Sequence, residues 1–131
     1  MVEDRGVYGP IVMDHFTHPR NMGEIEGPDG MGEAQNPVCG DTMRLFIKVE
    51  GNRITDARFL TFGCSAAIAS SSITTEMVKG KTIEEALAIS KEMVTDALGG
   101  LPPTKMHCSV LAEEALASAI SDYRKRRKVI G

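Results

Sequence analysis

Thr42 to Phe62, TMRLFIKVEGNRITDARFLTF, is the stretch that decides the fold. In its first half Met43, Leu45, Ile47 and Val49 fall on one side, and Arg44, Lys48 and Glu50 on the other, with Phe46 an exception. Alternation with period two is the signature of a strand covered on one face. Gly51-Asn52 is suited to a tight two-residue turn, because both residues tolerate the positive φ such turns require. Arg53 to Phe62 then reads as the returning strand, so the middle of the chain is an antiparallel hairpin.

Working outward, the period changes after Gly63. Ala66, Ala69, Ile73 and Met77 recur at helical spacing and Gly80 is a stop signal. Thr82-Ile-Glu-Glu85 has the spacing of a capping box and should open another helix. Ser90 to Leu98 reads as a third short helix, ended by Gly99-Gly100. A last helix should begin near Cys108, with Ala112, Ala115, Leu116, Ala119, Ile120 and Tyr123 as its apolar stripe. Towards the N-terminus, Pro10 suits a first helical position, Ile11, Val12, Met13 and Phe16 supply apolar surface, and Pro19 ends the helix. Residues 21–40 are rich in Gly and Pro and should be loop, with one strand near Gly32 to Val38. Strands first and helices after point to an α+β fold: a small antiparallel sheet of about three strands with helices packed on one face. We expect a single domain over residues 1–131, with 1–7 flexible and 124–131 a basic helix end.

The 131 residues suffice for one core, and 42% apolar with 25% charged content is that of a globular chain. No run of about 18 apolar residues exists to cross a membrane. The N-terminus, MVEDRGVYGP, carries acids where a secretory signal needs an apolar stretch, so the expected location is the cytoplasm. A net charge of −3 offers nucleic acid no broad attraction. The basic run RKRRK, Arg124 to Lys128, suits the negative pole of a helix end and has no interleaved aromatics.

Three cysteines, Cys39, Cys64 and Cys108, are too few and too scattered for a secreted disulfide framework. All three fall at element ends rather than on apolar stripes, and Cys64 and Cys108 fall at helix starts, where unpaired N–H groups favour a thiolate. Thiolates bind zinc and iron–sulfur clusters, and three of them need a fourth ligand. Asp41, two residues after Cys39, and His107, next to Cys108, are the candidates. Asp41 alone could be a turn residue, and His15 and His18 are read as ordinary surface or core histidines.

The motifs NPVCGD, DARFLTFGC, AIASSS, TEMVKGKT and LPPTKMHCSVLAEEAL, in this order, strongly resemble the IscU family of iron–sulfur cluster assembly scaffolds and are similar to the N-terminal domain of NifU proteins. The resemblance runs from about Tyr8 to Tyr123. It implies an exposed site at one tip of the domain, where Cys39, Cys64 and Cys108 bind a two-iron, two-sulfur cluster. Sulfur delivered by a cysteine desulfurase would arrive on Cys108 or Cys39. Asp41 would match the aspartate linked to cluster release, and His107 an alternative ligand, while Lys105 lies beside the metal. Zinc would occupy the cluster-free form. The segment Leu101, Pro102, Pro103, Thr104 and Lys105 resembles the stretch recognised by an Hsp70-type chaperone with its co-chaperone, although Thr104 stands where Val is usual and Ser65-Ala66 replaces the frequent Gly-Ser. Paired prolines should hold that stretch extended. An iron or electron donor, apo iron–sulfur proteins as acceptors, and a second subunit when cluster-loaded complete the partners that the resemblance implies.

Two other readings of the same residues compete. One is a zinc-bound sulfur acceptor of the SufU-like kind, and the other a Cys–His enzyme with Cys108 as nucleophile. The presence of LPPTK and the short Cys64–Cys108 segment favour the scaffold. Adjacent residues at a helix start rarely aim at one another, which disfavours the enzyme.

Overall fold

Gly51 and Asn52 both adopt positive φ, 57° and 67°, and fold Thr42–Glu50 (β2) back on Arg53–Phe62 (β3). This is the computed structural model of the chain, and it describes residues 9–37 and 40–130, with side chains as far as residue 126. The strands pair antiparallel from Thr42↔Phe62 to Glu50↔Arg53, with a register shift between Lys48 and Val49. Gly30–Gln35 (β1) pairs antiparallel with the other edge of β2, giving the order β1-β2-β3. Met43, Leu45 and Ile47 are fully buried on the covered face. Phe46 is buried on the outer face, flanked across the ladder by Met31 and Arg58.

β1 begins and ends earlier than the sequence suggests. It stops at Gln35 because the next N–H, of Asn36, turns to the Asp41 carbonyl at 2.8 Å, and the Gly40 N–H turns to the Asn36 carbonyl at 2.7 Å. Val38, expected in that strand, lies outside the described residues, as do residues 1–7.

The helices are α1 (Pro10–Thr17), α2 (Ser65–Val78), α3 (Ile83–Leu87), α4 (Lys91–Ala97) and α5 (His107–Ile130). The Thr82 hydroxyl accepts from Glu85 N–H while the Glu85 carboxylate accepts from Thr82 N–H, completing the capping box that starts α3. Ser90 caps α4 through Met93 N–H. The stripe of α5 is as read: Ala112, Ala115, Leu116, Ala119 and Ile120 are buried. It lies so close to β1 that a side chain on Gly32 would overlap the α5 backbone, its Cβ falling 2.5 Å from the Ala115 carbonyl oxygen.

α2 departs from its expected stripe. Ala66 and Ala69 are fully buried, but Ile73 and Met77 sit at the edge, and Ser70, Ser71, Ser72, Thr74 and Thr75 fill the interior instead. Small hydroxyl residues let α2 sit close against its neighbours, and most satisfy their own polar atoms. Ser71 donates to the Ala67 carbonyl at 2.8 Å, and Thr75 to the Ser72 carbonyl at 2.7 Å. α1 docks on α2 through Val12 and through His15, which is buried with its Nδ1 2.8 Å from the Ser72 hydroxyl. His15 is thus a satisfied core histidine and His18 an exposed one.

The proline segment is extended only in part. Pro102 keeps an extended φ/ψ of −57°/147°, but Pro103–Lys105 closes a single 3₁₀ turn, with Lys105 N–H donating to the Pro102 carbonyl at 2.8 Å. A proline tolerates the first turn of a helix, where its missing N–H has no role. Leu101 packs partly on the core, while Pro103 and Thr104 are exposed.

Candidate metal centre

Three of the elements converge where the hairpin ends. Asp41 enters β2, Cys64 caps α2, and His107 and Cys108 open α5. One ligand atom from each of Asp41, His107 and Cys108 lies within 4.8 Å of the other two. Cys64 joins them, its sulfur 3.7 Å from the Cys108 sulfur and 3.8 Å from Asp41 Oδ2. Four of the five residues singled out in the sequence therefore come together. Cys39, the fifth, lies outside the described residues.

The site is less exposed than expected for a tip. Cys108 and Asp41 are buried and form its floor, while Cys64 and His107 are half-buried at the rim. Cys108 belongs to the hydrophobic core as well as to the site, so its place at a helix start does not exclude burial. Gly63 holds Asp41 in place: a Cβ there would fall 2.7 Å from the Asp41 carboxyl carbon and Oδ1. Nothing in the local sequence marks Gly63, because the atom that needs the space is far along the chain.

The two thiols divide one charge. The Cys108 thiol faces Cys64 and donates to it, which lowers the Cys64 pKa to about 6; the Ala67 backbone N–H and the Lys105 charge help, against burial and Asp41. Cys108 keeps its proton, held far above the usual thiol range by that same hydrogen bond, by burial and by the negative charges of Cys64 and Asp41. Two sulfurs, an imidazole and a carboxylate are a donor set that suits zinc or iron.

Beside His107 a cleft of about 260 Å³ opens between the end of β1 and the first two turns of α5. Gln35, Asn36 and Pro37 line one side, and His107, Val110, Leu111 and Glu114 the other. Sequence reading did not reach it, although Glu114 lies two helical turns after His107 and so on the same face of α5.

The family model for the NifU-like N-terminal domain matches residues 7–129. This chain belongs to that family. Among curated proteins it is 60% identical over 124 residues to the iron–sulfur cluster assembly scaffold protein IscU 1 of Archaeoglobus fulgidus, covering 94% of this chain and 81% of that one. It is 49% identical to the scaffold protein IscU of Haemophilus influenzae, with 92% and 98% covered. Of solved structures, an iron–sulfur cluster assembly scaffold protein for the SUF system from Fervidobacterium islandicum superposes with a TM-score of 0.72 at 25% identity, covering 86% of this chain and 96% of that one. A NifU-like N-terminal protein from Brucella abortus shares the fold, with a TM-score of 0.73 at 19% identity over 92% of this chain and 96% of that one. The family bears out both the resemblance and the α+β architecture read from the sequence. None of the described helices is long and apolar enough to cross a membrane.

Proposed function

We propose that this chain is a scaffold on which iron and desulfurase-derived sulfur are built into a two-iron, two-sulfur cluster that is then passed to acceptor proteins. The observation that supports it best is the convergence of Asp41, Cys64, His107 and Cys108 at the hairpin end in a member of this family. The cluster is cargo, and the protein holds it without turnover chemistry of its own. Cys39, Cys64 and Cys108 supply thiolates, with Asp41 or His107 completing the set. Cys108 or Cys39 receives the sulfur. A hard carboxylate is a poorer match for cluster iron than a thiolate, so Asp41 makes the site weak by construction. When iron is absent, the same donors hold zinc tetrahedrally.

The partners in this reading are a cysteine desulfurase, an iron or electron donor and apo iron–sulfur proteins, with a second subunit joining when the cluster is loaded. An Hsp70-type chaperone and its co-chaperone engage Leu101 to Lys105 through the exposed Pro103 and Thr104. Thiols of this kind suit the reducing cytoplasm.

Anaerobic reconstitution with ferrous iron, cysteine and a cysteine desulfurase tests the proposal. A labile chromophore with about two irons per site, lost in Cys39→Ser, Cys64→Ser and Cys108→Ser, is the expected result. A single tightly held zinc and no chromophore would replace the scaffold by a zinc-bound sulfur acceptor. Asp41→Ala should retain its cluster longer than the wild type, and a shorter lifetime would remove that role from Asp41.

A further inference from the structure

We infer that Cys64 is the internal reductant that frees sulfide from a persulfide carried on Cys108. The inference rests on the proposal that Cys108 receives sulfur. The observation behind it is the 3.7 Å separation of the two sulfurs, which is van der Waals contact, between residues on two separate helix starts. Sulfur arrives from a desulfurase as sulfane sulfur, whereas a cluster is built of sulfide, so two electrons must enter at each delivery. The Cys64–Cys108 pair carries both.

The step balances without any other reagent. The Cys64 sulfur attacks the inner sulfur of the Cys108 persulfide, the same Sγ that it already touches. A Cys64–Cys108 disulfide forms, the bond from Cys108 to the outer sulfur breaks, and that sulfur leaves as hydrosulfide, keeping the persulfide's own proton. The two cysteine sulfurs are oxidised to the disulfide level, and the transferred sulfur is reduced to sulfide. The sulfurs need only close from contact to the bonding distance of about 2.05 Å. Both are free thiols in the structure, so nothing must be broken first.

Two consequences follow from the same contact. The disulfide removes both residues from the ligand set, so a thiol reductant, two thiols per disulfide, must reopen it before the cargo can bind. A cluster with two sulfides needs two such rounds. Sulfide delivery and metal capture therefore alternate at one pair of atoms.

The test uses the whole, metal-free chain held anaerobically with a cysteine desulfurase and limiting cysteine, without added thiol. Released sulfide is measured alongside intact mass and disulfide-linked peptides. Wild type should release one sulfide for each Cys64–Cys108 disulfide formed. Cys64→Ser should keep one extra sulfur atom on Cys108 and lose sulfide release. Serine is a favoured helix N-cap, so Cys64→Ser keeps the start of α2. Persulfide on Cys108 with sulfide release unchanged in Cys64→Ser overturns the inference and leaves Cys108 as the acceptor. No sulfur on Cys108 in any variant overturns the acceptor assignment and the inference with it.

Discussion

The two helices that present the two described thiols are fixed to the fold by opposite means. α5, which carries Cys108, lies on β1 with no room between backbones at Gly30 and Gly32. α2, which carries Cys64, is held to α1 and the chain after it by side-chain hydrogen bonds: His15 to Ser72, Arg20 N–H to Ser72, and Asn21 to Thr75. The first contact is steric and indifferent to pH. The second includes one bond, His15 to Ser72, that depends on the protonation of a buried imidazole. The site is thus assembled between a rigid half and a half whose grip can be titrated.

The largest effect should come from closing the gap in the rigid half. Gly32→Ala places a methyl group against the α5 backbone, which cannot step aside as a side chain would. A loss of about 3 kcal/mol or more is expected in urea unfolding. If stability is unchanged, the close approach is not what fixes α5.

Next is Ser72→Ala in the hydrogen-bonded half. It leaves the Arg20 N–H and His15 Nδ1 without their shared hydroxyl. A loss of about 2 kcal/mol is expected, as for a buried polar group deprived of its partner. The same denaturation assay checks it.

The pH dependence sharpens the contrast further. Burial lowers the His15 pKa below its ordinary value, aided by the Arg20 charge and opposed by Asp14 and Glu76. The unfolded chain then binds a proton, as pH falls through the ordinary histidine range of about 6.5, that the folded chain refuses. Stability from this contact is complete above that range and is lost as pH drops towards the lowered folded value. His15→Gln should flatten the fall measured by urea titration at a series of pH values, while Gly32→Ala should leave its slope intact.

The smallest stability change, about 1 kcal/mol, is expected for Gly63→Ala, because the group it crowds is the mobile end of the Asp41 side chain. Its reconstituted cluster should nonetheless behave like that of Asp41→Ala and fade more slowly than in wild type. Fading at the wild-type rate would show that Asp41 keeps its place without Gly63.

What the sequence disclosed follows from how local each signal is. The hairpin, the capping box at Thr82 and the stripe of α5 were legible because each is written within a few residues by period or by cap chemistry. The interior of α2 was not, because Ser70, Ser72 and Thr74 read as polar until the neighbours that bury them are known. The 3₁₀ turn at Pro103 was missed because paired prolines are compatible with a helix start as well as with extension. Four of the five candidate ligands do come together in the fold, yet chemistry at element ends could not reveal that Cys108 and Asp41 lie beneath the surface. Gly32 and Gly63 were silent for one shared reason: the atoms that require them to be glycine come from distant parts of the chain.

The way α5 covers β1 also sets an order of events during synthesis. Strands β1, β2 and β3 follow one another as neighbours, so the sheet can pair as soon as Phe62 has been made. Its first strand, however, is roofed by Ala115 and Ala119, which lie far along the chain from it. Contacts so distant along the chain form late and at an entropic cost. A nascent chain therefore holds Cys64 well before the helix that brings Cys108 to it exists. The first turns of α5 must have left the ribosome before the two sulfurs can meet, so the two-sulfur pair is a late product of folding and not of the hairpin that precedes it.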